Sequence, residues 1–221
     1  MTHKYVLIGT PNADTNTHIN RLLELGLYTI KDVAKFVKDS RIAQHRPTPQ
    51  EDRLGFQKEV YTTQISWENE IPHHVPVAFI DKGLHDRLLD YNLDENRAPP
   101  QLWNAAMNAN YSGVFFLQSR NTYTNTKLRP ETAQHAHELG ERTKEIYTKC
   151  GLTPIEIPPL SLDEQVLVVL DRVELGFKGT GQHEDYISLI REKNFQGKVS
   201  QTLPVYSRIC TFSKPTCGDL T

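Results

Sequence analysis

Cysteine is scarce, with three residues in a chain of 221, at positions 150, 210 and 217. An odd, widely spaced set builds no disulfide framework and suits a reducing compartment. Cys210 and Cys217 lack histidines at metal-ligand spacing, so all three read as free thiols. An excess of either charge is also missing: 25 Lys and Arg against 27 Asp and Glu leave a net charge of −2. Without a basic surplus, neither nucleic acid nor an anionic membrane is an expected partner. Long apolar stretches are absent as well, since no run of about 18 such residues occurs. The opening MTHKYVLIG has neither the basic region nor the long apolar region of a secretory signal. A soluble, cytoplasmic protein is therefore expected. The nine histidines are scattered and read as surface residues.

What is present centres on Lys4 to Glu24, KYVLIGTPNADTNTHINRLLE. Tyr5 to Ile8 is apolar and β-prone, and Gly9 breaks the run. From Ile19 the apolar residues Leu22, Leu23 and Leu25 follow at spacings that favour one helix face. A helix thus opens inside the polar segment, capped by Thr15, Asn16 or Thr17. A strand, a glycine turn and a helix start form the setting of a phosphate-cradling loop, because the first N–H groups and the helix dipole both face an anion.

The residues depart from the active pattern G-x-x-x-x-G-K-[ST]. Gly9 is kept, but Asp14 stands for the second glycine, Thr15 for the lysine and Asn16 for the Mg²⁺-binding hydroxyl. A carboxylate in contact with a phosphate is repelled by roughly 1 to 4 kcal/mol at dielectrics of 80 to 20, and the compensating cation is gone. The competing reading is an ordinary βα turn that never bound phosphate.

Further on, Tyr28 to Ile30 reads as a second strand, and helical spacing follows over 32–39 and again over 52–70 beyond the Pro-rich link 45–52. Val75 to Asp81 is almost continuously apolar, as buried parallel strands are. Its terminal Asp81 lies where open α/β sheets collect ligands, placed to meet Mg²⁺ or an attacking hydroxyl; alternatively it caps the helix opening near Leu84. That helix, 84–92, carries Asp86 and Arg87 on its polar side, and Pro99 and Pro100 restart the chain into another. Gly113 to Leu117 is a further strand, and the polar stretch 119–130 can close over a site with Arg120, Lys127 and Arg129. A long helix from Pro130 to Lys149 ends at Gly151; Thr153 to Ile157 is a strand; Ser161 with Glu164 is a capping box.

The alternation predicts an α/β fold, a doubly wound parallel sheet of about five strands flanked by helices with the Gly9 turn at its centre. Residues 1–175 form that domain, and 176–221 are a C-terminal extension of unknown role.

Several stretches resemble one family, the small P-loop NTPases grouped with the kinase domain of the bacterial NAD regulator NadR and with Ttd14-type proteins. IGTPNADTNTHI stands where members have GGPGSGKTTL, and LELGLYTI and KDVAKFV follow in order. QKEVYTTQISWENE is similar to the family's Gln-rich helix and FIDKGLHD to its DRGLPD motif. VFFLQSRNTYTNTKLRPE, EIYTKCGL and TPIEIPPLSLDEQ match its strand and lid, its long helix and its Pro-terminated strand.

The resemblance implies a nucleotide-kinase-like fold, Asp81 as the catalytic or Mg²⁺-positioning carboxylate, Arg129 as the lid cation and Arg120 as its assistant. Lys82 replaces the Arg that follows the motif Asp, and Gln165 an Arg of the last helix. Gly9, Asp14, Thr15, Asn16, Thr17 and Arg120 are then the candidate nucleotide-binding residues, and Asp81, Lys82 and Arg129 the candidate catalytic ones.

Three functions compete. The first is a pseudo-NTPase that binds or regulates after losing phosphoryl transfer, with a nucleotide or small molecule as ligand. The second is an active kinase of a small hydroxyl-bearing metabolite such as a nucleoside, using ATP or GTP with Mg²⁺. There Asp81 takes the hydroxyl proton, and Lys82, Arg120 and Arg129 carry the transition-state charge. The third is an adaptor that meets a protein partner through 176–221 or the lid.

Overall fold

The computed structural model describes residues 1–10, 13–91, 97–118 and 133–173, so Arg120, Arg129, Cys210, Cys217 and the extension 176–221 lie outside the described residues. The strand alternation appears as expected: β1 (His3–Gly9), β2 (Tyr28–Ile30), β3 (Val77–Asp81), β4 (Tyr111–Leu117) and β5 (Ile155–Ile157) form one sheet in the order β2-β3-β1-β4-β5. Every pairing is parallel, and β1 lies between β3 and β4. The early strands therefore run side by side in one direction.

Apolar runs in these strands are continuous because both faces of the sheet are covered. On one face Leu7, Phe79, Phe115 and Leu117 pack against Ile19 and Leu22 of α1 (Thr15–Glu24) and Val166 and Leu170 of α7 (Leu162–Arg172). Here the Tyr5 ring lies between Phe79 and Phe115, with centroids 6.0 and 5.9 Å away. On the other face Val6, Ile8, Ala78, Ile80, Val114 and Phe116 meet five helices: α2 (Val33–Ala43), α3 (Arg53–Asn69), α4 (Leu84–Leu88), α5 (Pro100–Met107) and α6 (Ala133–Lys149).

Helix ends follow local chemistry. Ser161 and Glu164 close the expected capping box at α7. Gly26 and Gly151 take left-handed φ of 85° and 83°; the N–H of Leu27 reaches the carbonyl of Leu22, and that of Leu152 the carbonyl of Tyr147, so α1 and α6 each end in a Schellman turn.

Expectations about helix ends and about the histidines need correction. The N-cap of α1 is Asp14, with Thr15 already helical. The helix expected over 84–92 ends at Leu88 and continues only as a 3₁₀ turn, Leu89–Tyr91. His18 and His85 are buried rather than superficial, at 5% and 2% exposure. Each faces a core that helical periodicity alone does not reveal. Among the described residues no helix is long and apolar enough to cross a membrane.

Candidate functional site

The chain reverses its direction of travel across the sheet at β1, so a crevice opens beyond the carboxyl ends of β1 and β3. Leu7 pairs with Asp81, and the Lys82 N–H donates to the Leu7 carbonyl at 3.1 Å. Gly9 opens the loop to α1 where it pairs with Leu117 of β4. A Cβ at Gly9 would stand 2.6 Å from the Ala13 Cβ and 2.8 Å from the Leu117 carbonyl oxygen.

Asp14, which the sequence pattern aligns with the second glycine of a phosphate loop, has a left-handed backbone, with φ 49° and ψ 53°. Its side chain does not cap the helix N–H groups; it accepts from the Thr17 hydroxyl. Asn16 is exposed on the first turn. Thr15 turns inward and donates its hydroxyl to Asp81 Oδ1 at 2.7 Å. Loop and strand-end acid therefore meet, but through Thr15 rather than through the residue in the hydroxyl position of the frame. One carboxylate and one hydroxyl fit Mg²⁺ in kind, since that ion is commonly held by one or two carboxylates with phosphates and water completing the shell. Asp81 and Thr15 would be its protein ligands here. Among the described residues no group of three or more His, Cys, Asp or Glu converges for a metal.

Asp81 is 1% exposed. Burial raises its pKa to about 6 against the opposing Lys82 charge and Thr15 hydrogen bond. It does not cap α4; Gly83 is the N-cap, and the Asp86 carboxylate accepts the Gly83 N–H.

Folding then favours a protonated Asp81: its contribution is fully present below the unfolded value near 4 and is lost as pH rises through about 6. At one pKa unit per about 1.4 kcal/mol, and allowing for a weaker neutral bond to Thr15, Asp81→Asn should stabilise the fold by about 2 kcal/mol at pH 8. At pH 4 the gain should vanish. Urea denaturation at both pH values checks this, and an equal effect at each would contradict the assignment.

Lys82 has a left-handed φ of 62°, a strained conformation for a residue with a Cβ. Its ammonium reaches Asp32 Oδ2 at 3.2 Å. Asp32 follows β2 and caps α2, with Oδ1 accepting the N–H groups of Ala34 and Lys35. Burial alone would raise its pKa, but the Lys82 and Arg87 charges and these hydrogen bonds outweigh burial and hold it low.

Asp86 and Arg87 are not on a solvated face as expected. Arg87 is 8% exposed and donates through Nε to Gln64 Oε1 at 2.9 Å. Gln64 in turn donates to Glu68 and to the Lys82 carbonyl. The Tyr147 hydroxyl donates to Asp86 and accepts the Gly83 N–H; that of Tyr111 donates to Glu68 and accepts the Leu84 N–H. The Lys82–Gly83 turn is thus gripped from α3, β4 and α6.

Gln165 also has a defined place. Its amide donates to the carbonyls of Gln118 and Pro158, and its oxygen faces His18 Nε2 at 2.8 Å. It ties the start of α1 to the ends of β4 and β5.

The structure joins Thr15 to Asp81, Thr17 to Asp14 and Lys82 to Asp32, sets Gly9 against Ala13 and Leu117, and leaves Asn16 exposed. Arg120 and Arg129 fall outside the described residues. Sequence reasoning missed Asp32 and Arg87. The rule that picked out Asp81, an acid at the carboxyl end of a strand, also picks out Asp32 once β2 is recognised.

A family model described as an AAA domain matches residues 4–165. No curated protein matches the chain. Among solved structures it is similar to a deoxyadenosine kinase from M. mycoides, at 14% identity and a TM-score of 0.49 over 77% of this chain and 98% of that one. It is also similar to the YorR protein of Bacillus subtilis in complex with phosphorylated GDP, at 14% identity and 0.49 over 78% and 96% of the two chains. The shikimate kinase of Aquifex aeolicus has 17% identity and 0.44 over 80% and 98%.

Proposed function

Because the chain belongs to the AAA domain family of P-loop NTPases, we propose that it is a pseudo-NTPase, a binding or regulatory module whose cradle no longer grips a triphosphate. The observation that carries this reading is Asp14, an acid in the left-handed backbone conformation of the loop's second glycine. The turn is kept while its chemistry is inverted. Thr15 has no charge to offer, and Lys82 is engaged by Asp32, as Arg21 is by Glu24 and Asp163. Phosphoryl transfer depends on positioning and charge stabilisation, and among the described residues the loop's opening offers an acid at Asp14 in place of a cation.

Calorimetry of the full chain with ATP or GTP in Mg²⁺ tests it. Affinity no better than about millimolar is expected; micromolar affinity would sink the reading. That result would favour the working kinase, for which the specific observation is Asp81, buried, at a pKa of about 6 and hydrogen-bonded to the loop. A carboxyl tuned toward neutrality suits a general base.

A further inference from the structure

Where α1 begins, the buried His18 ring faces an oxygen on each side. Nδ1 stands 3.1 Å from the Asp14 carbonyl oxygen, and Nε2 stands 2.8 Å from Gln165 Oε1. A carbonyl oxygen only accepts, so the Asp14 contact is a hydrogen bond when Nδ1 carries a proton. The Gln165 contact makes the same demand on Nε2. Its amide cannot be turned over, because its nitrogen donates to the carbonyls of Gln118 and Pro158 at 3.1 and 2.7 Å, which leaves the oxygen for His18. A neutral imidazole has one N–H and satisfies one of the two oxygens. The doubly protonated ring satisfies both.

The two acceptors are not equivalent. The Asp14 carbonyl also takes the Thr17 N–H at 3.0 Å, whereas among the described residues Gln165 Oε1 has His18 alone. A buried oxygen left without a donor is the costlier loss. When the ring gives up one proton, Nε2–H therefore stays on Gln165, and Nδ1 turns a lone pair toward the Asp14 carbonyl. The attraction at 3.1 Å becomes a repulsion. Asp14 takes the strain in a left-handed conformation, with a side chain that caps no helix N–H.

The titratable groups around this point are engaged elsewhere. On α1 the Asp14 carboxylate accepts the Thr17 hydroxyl, and Arg21 pairs with Glu24 and with Asp163 of α7. Glu164 of α7 accepts from Ser161, Asp81 of β3 from Thr15, and Glu156 of β5 from Gln118 and Lys144. Among the described residues no carboxylate bonds the ring, so its second proton rests on the two carbonyl oxygens. Burial and the positive end of α1 both resist that charge, which makes the proton one the ring can gain and lose.

We infer that His18 is a proton-operated latch on the end of the loop: charged, it ties Asp14 through Gln165 to the ends of β4 and β5, and neutral, it releases Asp14. Histidine ordinarily changes charge between about pH 5 and pH 8, so the start of α1 loosens as pH rises through that range. The latch needs no ligand and does not rest on the pseudo-NTPase reading.

NMR of the ligand-free full chain at about pH 5 and about pH 8 tests it. At the lower pH both ring nitrogens of His18 should carry a proton. Hydrogen-exchange protection of the Thr17 amide, corrected for the intrinsic pH dependence of exchange, should be about tenfold or more higher there, the scale of one hydrogen bond to a charged group. His18→Leu should remove that difference. Gln165→Met, close to glutamine in shape, should remove it too, because the neutral ring can then keep its one proton on Nδ1 and hold Asp14 at both pH values. Asp81→Asn, which removes the carboxyl that titrates at about 6 beside Thr15, should leave the difference intact.

A singly protonated ring at about pH 5, equal protection at both pH values, a difference that survives in folded His18→Leu or Gln165→Met, or one that vanishes in Asp81→Asn would each overturn the latch. Calorimetry with ATP bears on the pseudo-NTPase alone, so either reading can fail without the other.

Discussion

Asp14→Gly, Thr15→Lys and Asn16→Thr made together should bring ATP·Mg²⁺ affinity from about millimolar to about micromolar, a gain of about a thousandfold or 4 kcal/mol. The size follows from charge. Deleting a carboxylate at contact distance relieves roughly 1 to 4 kcal/mol at dielectrics of 80 to 20, and supplying a lysine adds attraction of the same order. The backbone at position 14 already suits glycine, since Asp14 sits at φ 49° and glycine fits there with less strain. Replacing Thr15 removes its hydrogen bond to Asp81, a loss the gain in affinity must outweigh. Calorimetry on the folded variant decides. A correctly folded triple variant that still fails to bind would argue that this turn does not descend from a phosphate loop.

Gly9→Ala should destabilise the fold by about 3 kcal/mol, at the upper end of overpacking costs. Its methyl would meet two obstacles that cannot swing aside, the Leu117 carbonyl at 2.8 Å and the Ala13 Cβ at 2.6 Å. The carbonyl belongs to β4, which pairs with β1 on the side away from β3. Relief therefore requires the loop or the central strand pairing to move. A urea denaturation midpoint close to the parent's would mean that the loop yields easily, and would weaken the view of Gly9 as the loop's fixed origin.

The two substitutions separate what the loop residues do. Gly9 serves close approach, so its replacement should be read in stability. Positions 14 to 16 lie at the opening of α1 beside the crevice, and their replacement should be read in affinity.

The strand and helix pattern was legible because it is written in short-range chemistry. Apolar runs at Tyr5 to Ile8 and Val77 to Ile80 are the mark of strands covered on both faces, the Ser161 and Glu164 pair announces a helix start, and Gly151 a helix stop. The loop's departure from the phosphate-binding pattern needs only residues 9 to 16 to be seen. The interior was less legible. Arg87 and Asp86 look like a solvated pair on a short helix, and only the packing of α3 and α6 over α4 turns them inward. Likewise His18 and His85 look like surface groups, because nothing local distinguishes a histidine that faces a core.

By itself, then, the sequence determined the order of elements, the parallel sheet around Gly9 and the presence of an acid at position 14, since each depends on neighbours within one turn or one strand. Only the tertiary structure decided that Thr15 meets Asp81 across 66 residues, and that Lys82 turns to Asp32 across 50. It also decided that Arg87 faces Asp32 over a gap of 4.0 Å. Those partners are set by strand order and by helix packing on the sheet, and neither leaves a periodic signature in the chain.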